Sequence, residues 1–206
     1  MDMTYPVVTL ARQFGSGGHE VGEKLAARLG IPLYDREILL HAAQQSGISA
    51  EMFCEADEKP GSSLIYSLSM GAGRGALFAD FEQKMQRESV FSWQCRTIRE
   101  LADKSSCVII GRCADDILRG RPGLVSVYVH SPLELRVQRI ARLRNIDEDA
   151  ARDLVRKTDK TRANYYSFYT DREWDAAANY DLCLNTARLG VDGAVEMIAA
   201  FLKNCR

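Results

Sequence analysis

The sequence has no long apolar run and almost no net charge. No stretch of its 206 residues reaches the roughly 20 consecutive apolar residues that a membrane-spanning helix needs. Its 27 basic and 28 acidic residues leave a net charge of −1, so there is no bulk electrostatic attraction to nucleic acid or to an anionic membrane. The N-terminus, MDMTYPVVTL, also lacks the basic segment of a secretory signal. We therefore expect neither a membrane protein nor a nucleic-acid-binding protein.

The six cysteines form no C-x-x-C pair, which is the spacing expected of a redox or zinc motif. Cys107 and Cys183 lie in apolar, strand-like runs and are predicted to be small core residues. A metal or disulfide role is the less favoured interpretation. The cysteine pattern therefore predicts a protein of the reducing cytoplasm.

Residues 7–29 form the stretch around which the remaining motifs are arranged. An apolar, β-branched run at residues 7–11 is followed by the sequence GSGG at residues 15–18. Apolar residues then recur at helical spacing: Val21, Leu25, Ala26 and Leu29. A strand, a glycine loop and a helix in this order can direct backbone N–H groups and a helix N-terminus at one phosphate. A plain tight turn is the alternative, but the position between a buried strand and an amphipathic helix favours the phosphate site.

Four further apolar runs predict strands, at residues 32–35, 107–110, 124–129 and 182–184. Helical periodicity connects them, most clearly at residues 90–104 and 191–202. Strands that alternate with helices predict a doubly wound α/β domain with five parallel strands and helices on both faces. The length fits one such domain with a sizeable core.

Two of the predicted strands end in charged residues. Asp35 ends the second strand, and Arg112 follows the third strand directly after Gly111. Ligands of open parallel sheets bind at the carboxyl ends of the strands. An arginine there suits a phosphate or a base edge, because its planar fork matches either. For Asp35, a role as a helix N-cap is an equally good interpretation.

Two arginine-rich helices are predicted after the fourth strand, joined by a turn at residues 145–146. The first starts with Ser131 as its cap and Pro132 as its first residue. Their basic residues are Arg136, Arg139, Arg142, Arg144, Arg152, Arg156, Lys157, Lys160 and Arg162. Such helices suit the neutralisation of phosphate, although a solvated amphipathic pair is the alternative. The aromatic cluster at residues 165–169 is predicted to serve packing, with a contact in a homodimer as one use.

The chain resembles the P-loop nucleoside monophosphate kinases, and most closely the cytidylate kinase-like family. The resemblance covers nearly the whole chain and rests on RQFGSGG at residues 12–18, GIPLYDR at 30–36, VIIGR at 108–112 and YDL at 180–182. It implies a P-loop kinase fold that uses ATP and Mg²⁺ and transfers the γ-phosphoryl group to a nucleoside monophosphate such as CMP. Within one domain of residues 1–206, residues 36–104 would bind the acceptor and residues 131–170 would form a helical lid.

The resemblance also implies roles for individual residues. ATP and its phosphates would be bound by Arg12, Gly15, Ser16, Gly17, Gly18 and His19. The acceptor would be bound by Asp35, Arg36 and Arg112. Catalysis would rest on three arginines of the lid, Arg136, Arg139 and Arg162. No residue is assigned as a ligand of the metal ion.

The glycine loop departs from the Walker A pattern G-x-x-x-x-G-K-[ST]. Gly18 takes the place of the lysine, or His19 if the register moves by one, and no Ser or Thr stands in the metal position. Arg12, His19 or Lys24 could supply the missing charge. A lysine at position 18 should strengthen ATP binding, provided that the loop accepts a side chain.

Two alternative functions follow from these departures. A P-loop protein without the lysine and the hydroxyl could bind a nucleotide or another anion without turning it over. A small-molecule kinase with a non-nucleotide acceptor is the other alternative. It is favoured by His41 and Cys113, which stand where cytidylate kinases carry an arginine and an aspartate.

Overall fold

The computed structural model describes residues 6–35 and 91–204. Arg36, and the rest of residues 36–90 within the predicted acceptor-binding region, lie outside the described residues. The chain divides into two compact units, one made of Met1–Arg36 with Ile98–Arg206 and the other of Glu37–Thr97. The sheet and the helices described below belong to the first unit, apart from one helix that spans residues 91–104. The role predicted for residues 36–104 stays a prediction.

Five parallel strands form one sheet in the order β2-β3-β1-β4-β5, which confirms the predicted five-stranded parallel sheet. The strands are β1 (Val7–Arg12), β2 (Leu33–Tyr34), β3 (Cys107–Ile110), β4 (Leu124–His130) and β5 (Leu182–Asn185). β1 lies at the centre, where it pairs with β3 on one side and with β4 on the other. The carboxyl end of β1, from which the glycine loop leaves, is therefore flanked by the carboxyl ends of both neighbours.

The helices of the described residues connect the strands. They are α1 (Gly18–Leu29), α2 (residues 91–104), α3 (Ala114–Ile117), α4 (Leu133–Arg144), α5 (Glu148–Thr170) and α6 (Thr186–Asn204), with a 3₁₀ turn at Ala177–Asn179. Gly190 interrupts α6 with non-helical backbone angles. None of the helices in these ranges is both long and apolar enough to cross a membrane.

Helices α4 and α5 form the hairpin that the arginine-rich segments predict. Asn145 adopts the left-handed conformation that ends α4, and the Asp147 carboxylate caps α5 by accepting a hydrogen bond from Ala150 N at 2.8 Å. The predicted start of α4 is wrong by one residue. Pro132 is the N-cap, with an extended ψ of 140°, and no side chain caps the helix, so Ser131 lies outside it.

Both faces of the sheet are buried, as parallel sheets require. On one face, Val8, Leu10 and Val127 pack with Val21 of α1 and Ile198 of α6 in one apolar cluster. On the other face, the ring of Tyr128 stacks on Tyr180 and meets Trp174 edge to face, with ring centroids 5.1 Å and 5.6 Å apart. Charged loops can therefore gather at the carboxyl edge of the sheet and leave the core apolar.

The two strand cysteines differ in environment. Cys107 is fully buried in β3, as predicted, but Cys183 is exposed, so its prediction as a core residue is wrong. β5 is the outermost strand of the sheet, and Cys183 alternates along it with Leu184, whose side chain is the one that packs into the apolar cluster.

The aromatic cluster of residues 165–169 divides between packing and solvent. Tyr166 is buried and donates a hydrogen bond to Asp115 Oδ2 at 2.7 Å, which agrees with the predicted packing role. Phe168 is 54% exposed. A contact of this cluster with a second copy of the chain, and a homodimer, stay predictions.

Asp181 connects β4 to the start of β5, and its removal should destabilise the fold. Its carboxylate accepts hydrogen bonds from Ser126 N at 2.7 Å and Ser126 Oγ at 2.8 Å. Asp181→Ala would leave the N–H of the buried residue Ser126 without an acceptor, so we expect a loss of about 1–3 kcal/mol in the free energy of unfolding by urea denaturation. Asp181→Asn, which keeps an acceptor oxygen, should lose less. Equal losses in both variants would contradict this assignment.

Candidate phosphate-binding site at the glycine loop

The glycine loop, residues 13–18, has a backbone that only glycine adopts easily at two positions. Gly15 and Gly17 have φ angles of 80° and 83°. A Cβ atom on Gly15 would lie 2.9 Å from the carbonyl oxygen of Arg136, and one on Gly17 would lie 3.1 Å from Arg139 Nη1. The loop therefore packs its backbone directly against α4. Gly17 is the N-cap of α1, and no side chain caps that helix end.

Side chains inside the loop stabilise its turn. Ser16 is buried, and its hydroxyl donates to Gln13 O at 2.8 Å and accepts from Gly18 N at 3.3 Å. Thr186, at the start of α6, donates to Ser16 O at 2.7 Å. The Ser16 hydroxyl thus belongs to the structure of the loop, and anion binding by the main-chain groups of the loop stays a prediction.

A carboxylate of α5 also holds the loop in place. Asp159 Oδ1 accepts a hydrogen bond from Phe14 N at 2.7 Å, and its Oδ2 pairs with Arg136 Nη1. Arg136 is 6% exposed and also donates to Ser131 O at 2.9 Å and to Phe14 O at 3.1 Å. Arg136 thus acts as a positioning residue for the loop. The catalytic role assigned to it from the sequence stays a prediction, and these contacts disfavour it.

The other two arginines assigned to catalysis also contact the loop region. Arg162 Nη1 donates to Arg12 O at 2.9 Å, and its guanidinium lies 5.5 Å from the centre of the Phe14 ring. Arg139 lies beside Gly17 and donates to Glu20 Oε2 at 2.6 Å. The hairpin thus brings both guanidinium groups to the loop. Their contact with phosphate stays a proposal.

Three arginines from distant parts of the sequence meet beside the loop, and we call Arg12, Arg112 and Arg162 the arginine cluster. Dehydration lowers the pKa of Arg12 most, the charges of Arg162 and Arg112 lower it further, and Asp35 raises it. Burial likewise lowers the pKa of Arg162. An arginine nevertheless stays cationic at neutral pH. The cluster is therefore a concentration of positive charge at the carboxyl edge of the sheet, with Asp35 as a carboxylate next to it.

His19 and Lys24, two of the residues considered for the missing charge, are engaged with carboxylates. His19 Nε2 lies 3.3 Å from Asp35 Oδ2, and its Nδ1 lies 3.6 Å from Glu23. Lys24 Nζ lies 2.7 Å from Asp192 and 3.5 Å from Glu20. Both side chains are about half exposed, so neither is directed at the loop interior.

The turn after β3 is a run of three left-handed residues. Gly111, Arg112 and Cys113 have φ angles of 69°, 61° and 55°. Each non-glycine residue in this conformation costs about 1–2 kcal/mol. The turn places the Arg112 guanidinium 6.0 Å from the centre of the Tyr165 ring. Backbone strain of this kind is found at functional sites, and the motif VIIGR alone did not reveal it.

The glycine loop also lines an open cavity of about 290 Å³. Its lining combines the loop, α4 and the start of α6, and includes Gly15, Ser16, Leu135, Arg139, Thr186 and Val191. Sequence reasoning did not assign this cavity. The available sequence signal for the cavity was the position of Asn185 and Thr186, which directly follow the predicted strand at residues 182–184.

Metal-binding side chains do not cluster at this site. Among residues 6–35 and 91–204, no group of three His, Cys, Asp or Glu side chains could hold a metal ion.

Comparison with known proteins identifies the family. The model of the cytidylate kinase-like family matches residues 7–188. Among curated proteins, the cytidylate kinase of Methanopyrus kandleri is 23% identical, over 94% of this chain and 91% of its own length. The cytidylate kinase of Thermococcus sibiricus is 24% identical, over 94% of this chain and 86% of its own length.

Solved structures agree on the fold. An uncharacterized protein from Eubacterium ventriosum is 27% identical with a TM-score of 0.74, and the match covers 97% of this chain and 99% of that one. Shikimate kinase from Bacteroides thetaiotaomicron has a TM-score of 0.54 at 13% identity, with 96% and 98% coverage. The second likeness shows the fold alone.

The strain at Arg112 can be measured with two variants that both lack its guanidinium. Arg112→Ala keeps a Cβ atom at a φ of 61°, whereas Arg112→Gly removes it. We expect the glycine variant to be more stable than the alanine variant by about 1 kcal/mol in urea denaturation. At an ordinary position the order would be reversed, because glycine increases the entropy of the unfolded chain. An alanine variant of equal or greater stability would contradict the strained turn.

The contact between Asp159 and Arg136 can be tested by a double-mutant cycle. Asp159→Ala should cost about 3–5 kcal/mol, because it leaves the buried Arg136 guanidinium without its carboxylate. The double variant Asp159→Ala/Arg136→Met should lose less than the sum of the two single variants by about 1–3 kcal/mol. Additive losses in urea denaturation would show that the two side chains do not stabilise each other.

Proposed function

The chain belongs to the cytidylate kinase-like family, and from this membership we propose that it transfers the γ-phosphoryl group of ATP to a nucleoside monophosphate of the CMP class. The observation that carries the proposal is that the glycine loop contributes to two features. It lines an open cavity that would hold a nucleoside, and its Gly18 packs against Arg12 of the arginine cluster. A phosphate chain that passes over the loop would connect the two.

The donor nucleotide would place its nucleoside in the cavity. A volume of about 290 Å³ lies at the lower end of the range for small-molecule sites. Leu135 and Val191 provide apolar surface for a base, while Arg139 and Thr186 provide hydrogen-bonding groups. The phosphates would follow the backbone of Gly15, Ser16, Gly17 and Gly18, as the strand–loop–helix order implies.

The arginine cluster would neutralise the charge of the reacting phosphates. In the reaction, the bond from the γ-phosphorus to the β,γ-bridging oxygen breaks and a bond to an acceptor phosphate oxygen forms. Enzymes lower this barrier chiefly by positioning and by electrostatic stabilisation of the transferred group. Arg12, Arg112 and Arg162 reach the same edge of the sheet from β1, from the turn after β3 and from α5. Arg139 would add a fourth cation beside Gly17.

The acceptor would lie on the side of the site where β2 and β3 end. Asp35 follows β2 and Arg112 follows β3, and both carry charges that act on Arg12. Arg112 would bind the acceptor phosphate, and Asp35 would orient the acceptor by hydrogen bonding. The proposed contribution of Arg36 belongs to a residue outside the described ranges.

The described residues fit Mg²⁺ that is carried by the nucleotide itself. Mg²⁺ keeps several waters and is held mainly by substrate phosphates with one or two carboxylates. Asp35 provides a carboxylate at this edge, and the Ser16 hydroxyl is occupied within the loop. When bound, the ion would neutralise part of the phosphate charge.

A second candidate function is nucleotide or anion binding without turnover. It is favoured by Gly18, which leaves the Walker lysine position without a side chain. A non-nucleotide acceptor is a third candidate, because the position where cytidylate kinases carry an aspartate is occupied here by the buried Cys113.

The three candidates predict different ADP production. With ATP and Mg²⁺, we expect ADP release that depends on CMP or a related monophosphate and exceeds the release without an acceptor. Arg112→Met should raise the acceptor KM about 10- to 100-fold, as expected for a lost charge-assisted hydrogen bond of about 1.5–3 kcal/mol, and should leave the KM for ATP nearly unchanged. Arg28→Met is the control, since Arg28 is paired with Glu196 on an exposed part of α1.

Two results would redirect the assignment. ATP binding by calorimetry without ADP release for any acceptor would favour the binding function. ADP release with a small hydroxylated acid or sugar, but with no monophosphate, would favour the non-nucleotide acceptor.

A further inference from the structure

The missing lysine leaves one position of the glycine loop to be explained. In a Walker A loop, the lysine is the first residue of the helix after the last glycine, and it reaches the β- and γ-phosphates. Here α1 begins at Gly18, and Gly17 caps it. The residue at this position therefore has no side chain with which to reach a phosphate.

The side chain of Arg12 fills the space that a residue at position 18 would need. A Cβ atom built on Gly18 would lie 2.4 Å from Arg12 Cβ and 2.9 Å from Arg12 Cγ. Both distances are shorter than packed carbon atoms allow. The sequence-based expectation that a lysine at position 18 would strengthen ATP binding therefore fails its own condition, because the loop does not accept a side chain there while Arg12 is present.

The far end of the same side chain reaches the next strand. A Cβ atom on Gly111 would lie 2.4 Å from Arg12 Nη1. Arg12 thus extends from the end of β1, across the first residue of α1, to the end of β3. Glycine at position 18 makes room for its aliphatic stem, and glycine at position 111 makes room for its guanidinium. The three residues depend on one another sterically.

The guanidinium of Arg12 lies where it can serve an anion. Across residues 6–35 and 91–204, the structure gives it no carboxylate as a hydrogen-bonded partner, and two of its charged neighbours, Arg162 and Arg112, are also cations. A bound anion would relieve this repulsion. His19 and Lys24, by contrast, are paired with carboxylates at the surface.

We infer that Arg12 performs the task of the Walker lysine, with the cation moved from the first residue of the helix to the last residue of the preceding strand. Arg12 would donate hydrogen bonds to the terminal phosphate of a polyphosphate chain held by the loop. The inference rests on the proposed function for the identity of that chain as ATP. It adds the role of one residue and the reason why Gly18 and Gly111 are glycines.

The test moves the charge back to the helix. Four proteins are compared: the wild type, Arg12→Met, Gly18→Lys and the double variant Arg12→Gly/Gly18→Lys. Binding is measured by calorimetry with two probes, inorganic tripolyphosphate and ATP, and folding is checked by circular dichroism and thermal denaturation. Arg28→Met, on an exposed part of α1, is the matched control for the loss of one arginine.

The inference predicts a specific order of affinities for tripolyphosphate. Arg12→Met, which keeps an aliphatic stem, should bind at least 10-fold more weakly than the wild type, and Arg28→Met should bind within twofold of it. Gly18→Lys should gain no affinity and should lose thermal stability, because its stem overlaps Arg12. The double variant should regain at least fivefold over Arg12→Met, because glycine at position 12 removes both Cβ and Cγ, the two Arg12 atoms that overlap a side chain at position 18. A purely structural role of Arg12 would not produce this recovery.

The outcomes separate this inference from the proposed function. Unchanged tripolyphosphate affinity in a folded Arg12→Met protein would overturn it, and so would a folded double variant without recovery. If either variant fails to fold, Arg12→Lys replaces it as the test of the inference. This variant keeps the positive charge, so it should bind tripolyphosphate more tightly than Arg12→Met or any other folded neutral variant at position 12. Wild-type protein that binds tripolyphosphate in the predicted order but does not bind ATP would refute the proposed function and leave the role of Arg12 standing. Wild-type protein that binds neither probe would overturn both.

Discussion

The hydrogen bonds of Asp159 join the helical hairpin to the glycine loop, and the geometry of the site depends on them. One oxygen of this carboxylate accepts the backbone N–H of Phe14, and the other pairs with the buried guanidinium of Arg136. Arg136 in turn binds the carbonyl oxygens of Phe14 and Ser131. The loop backbone is therefore held by charged groups of α4 and α5 that have little contact with water. Such pairs specify one arrangement, because a buried charge without its partner is costly.

Positive charge accumulates beside the same loop. The charges of Arg162 and Arg112 both act on Arg12, and Arg112 follows β3 in the strained turn. Like charges that lie close together and partly out of contact with water repel one another unless an opposite charge lies nearby. Asp35 compensates in part at Arg12 and Asp159 in part at Arg162, and a phosphate chain would compensate further. The same electrostatic argument supports the proposal that this loop binds phosphate without a lysine.

Membership of the cytidylate kinase-like family and the parallel five-stranded sheet agree with this picture. The similar proteins support this interpretation to different degrees. The structure from Eubacterium ventriosum shares 27% of its sequence and nearly the whole fold, whereas the shikimate kinase likeness supports only the arrangement of strands and helices. The proposed acceptor therefore depends on the proposed roles of Asp35 and Arg112.

The sequence by itself determined the architecture, because strands and helices follow from the spacing of apolar residues along the chain. The five strands and the helical hairpin were predicted in this way and are confirmed. The family was predicted from the resemblance of four sequence motifs and is also confirmed. Only the tertiary structure decided what individual side chains contact. Arg136 and Arg162 lie on the same arginine-rich hairpin, yet the first is buried in an ion pair and the second faces the loop beside Arg12. The side chain of Arg12 occupies the space that a side chain at position 18 would need, although the two residues are six positions apart in the sequence. Periodicity reports which face of an element is apolar, but contacts between elements depend on how their backbones approach one another, and that distance is set by packing.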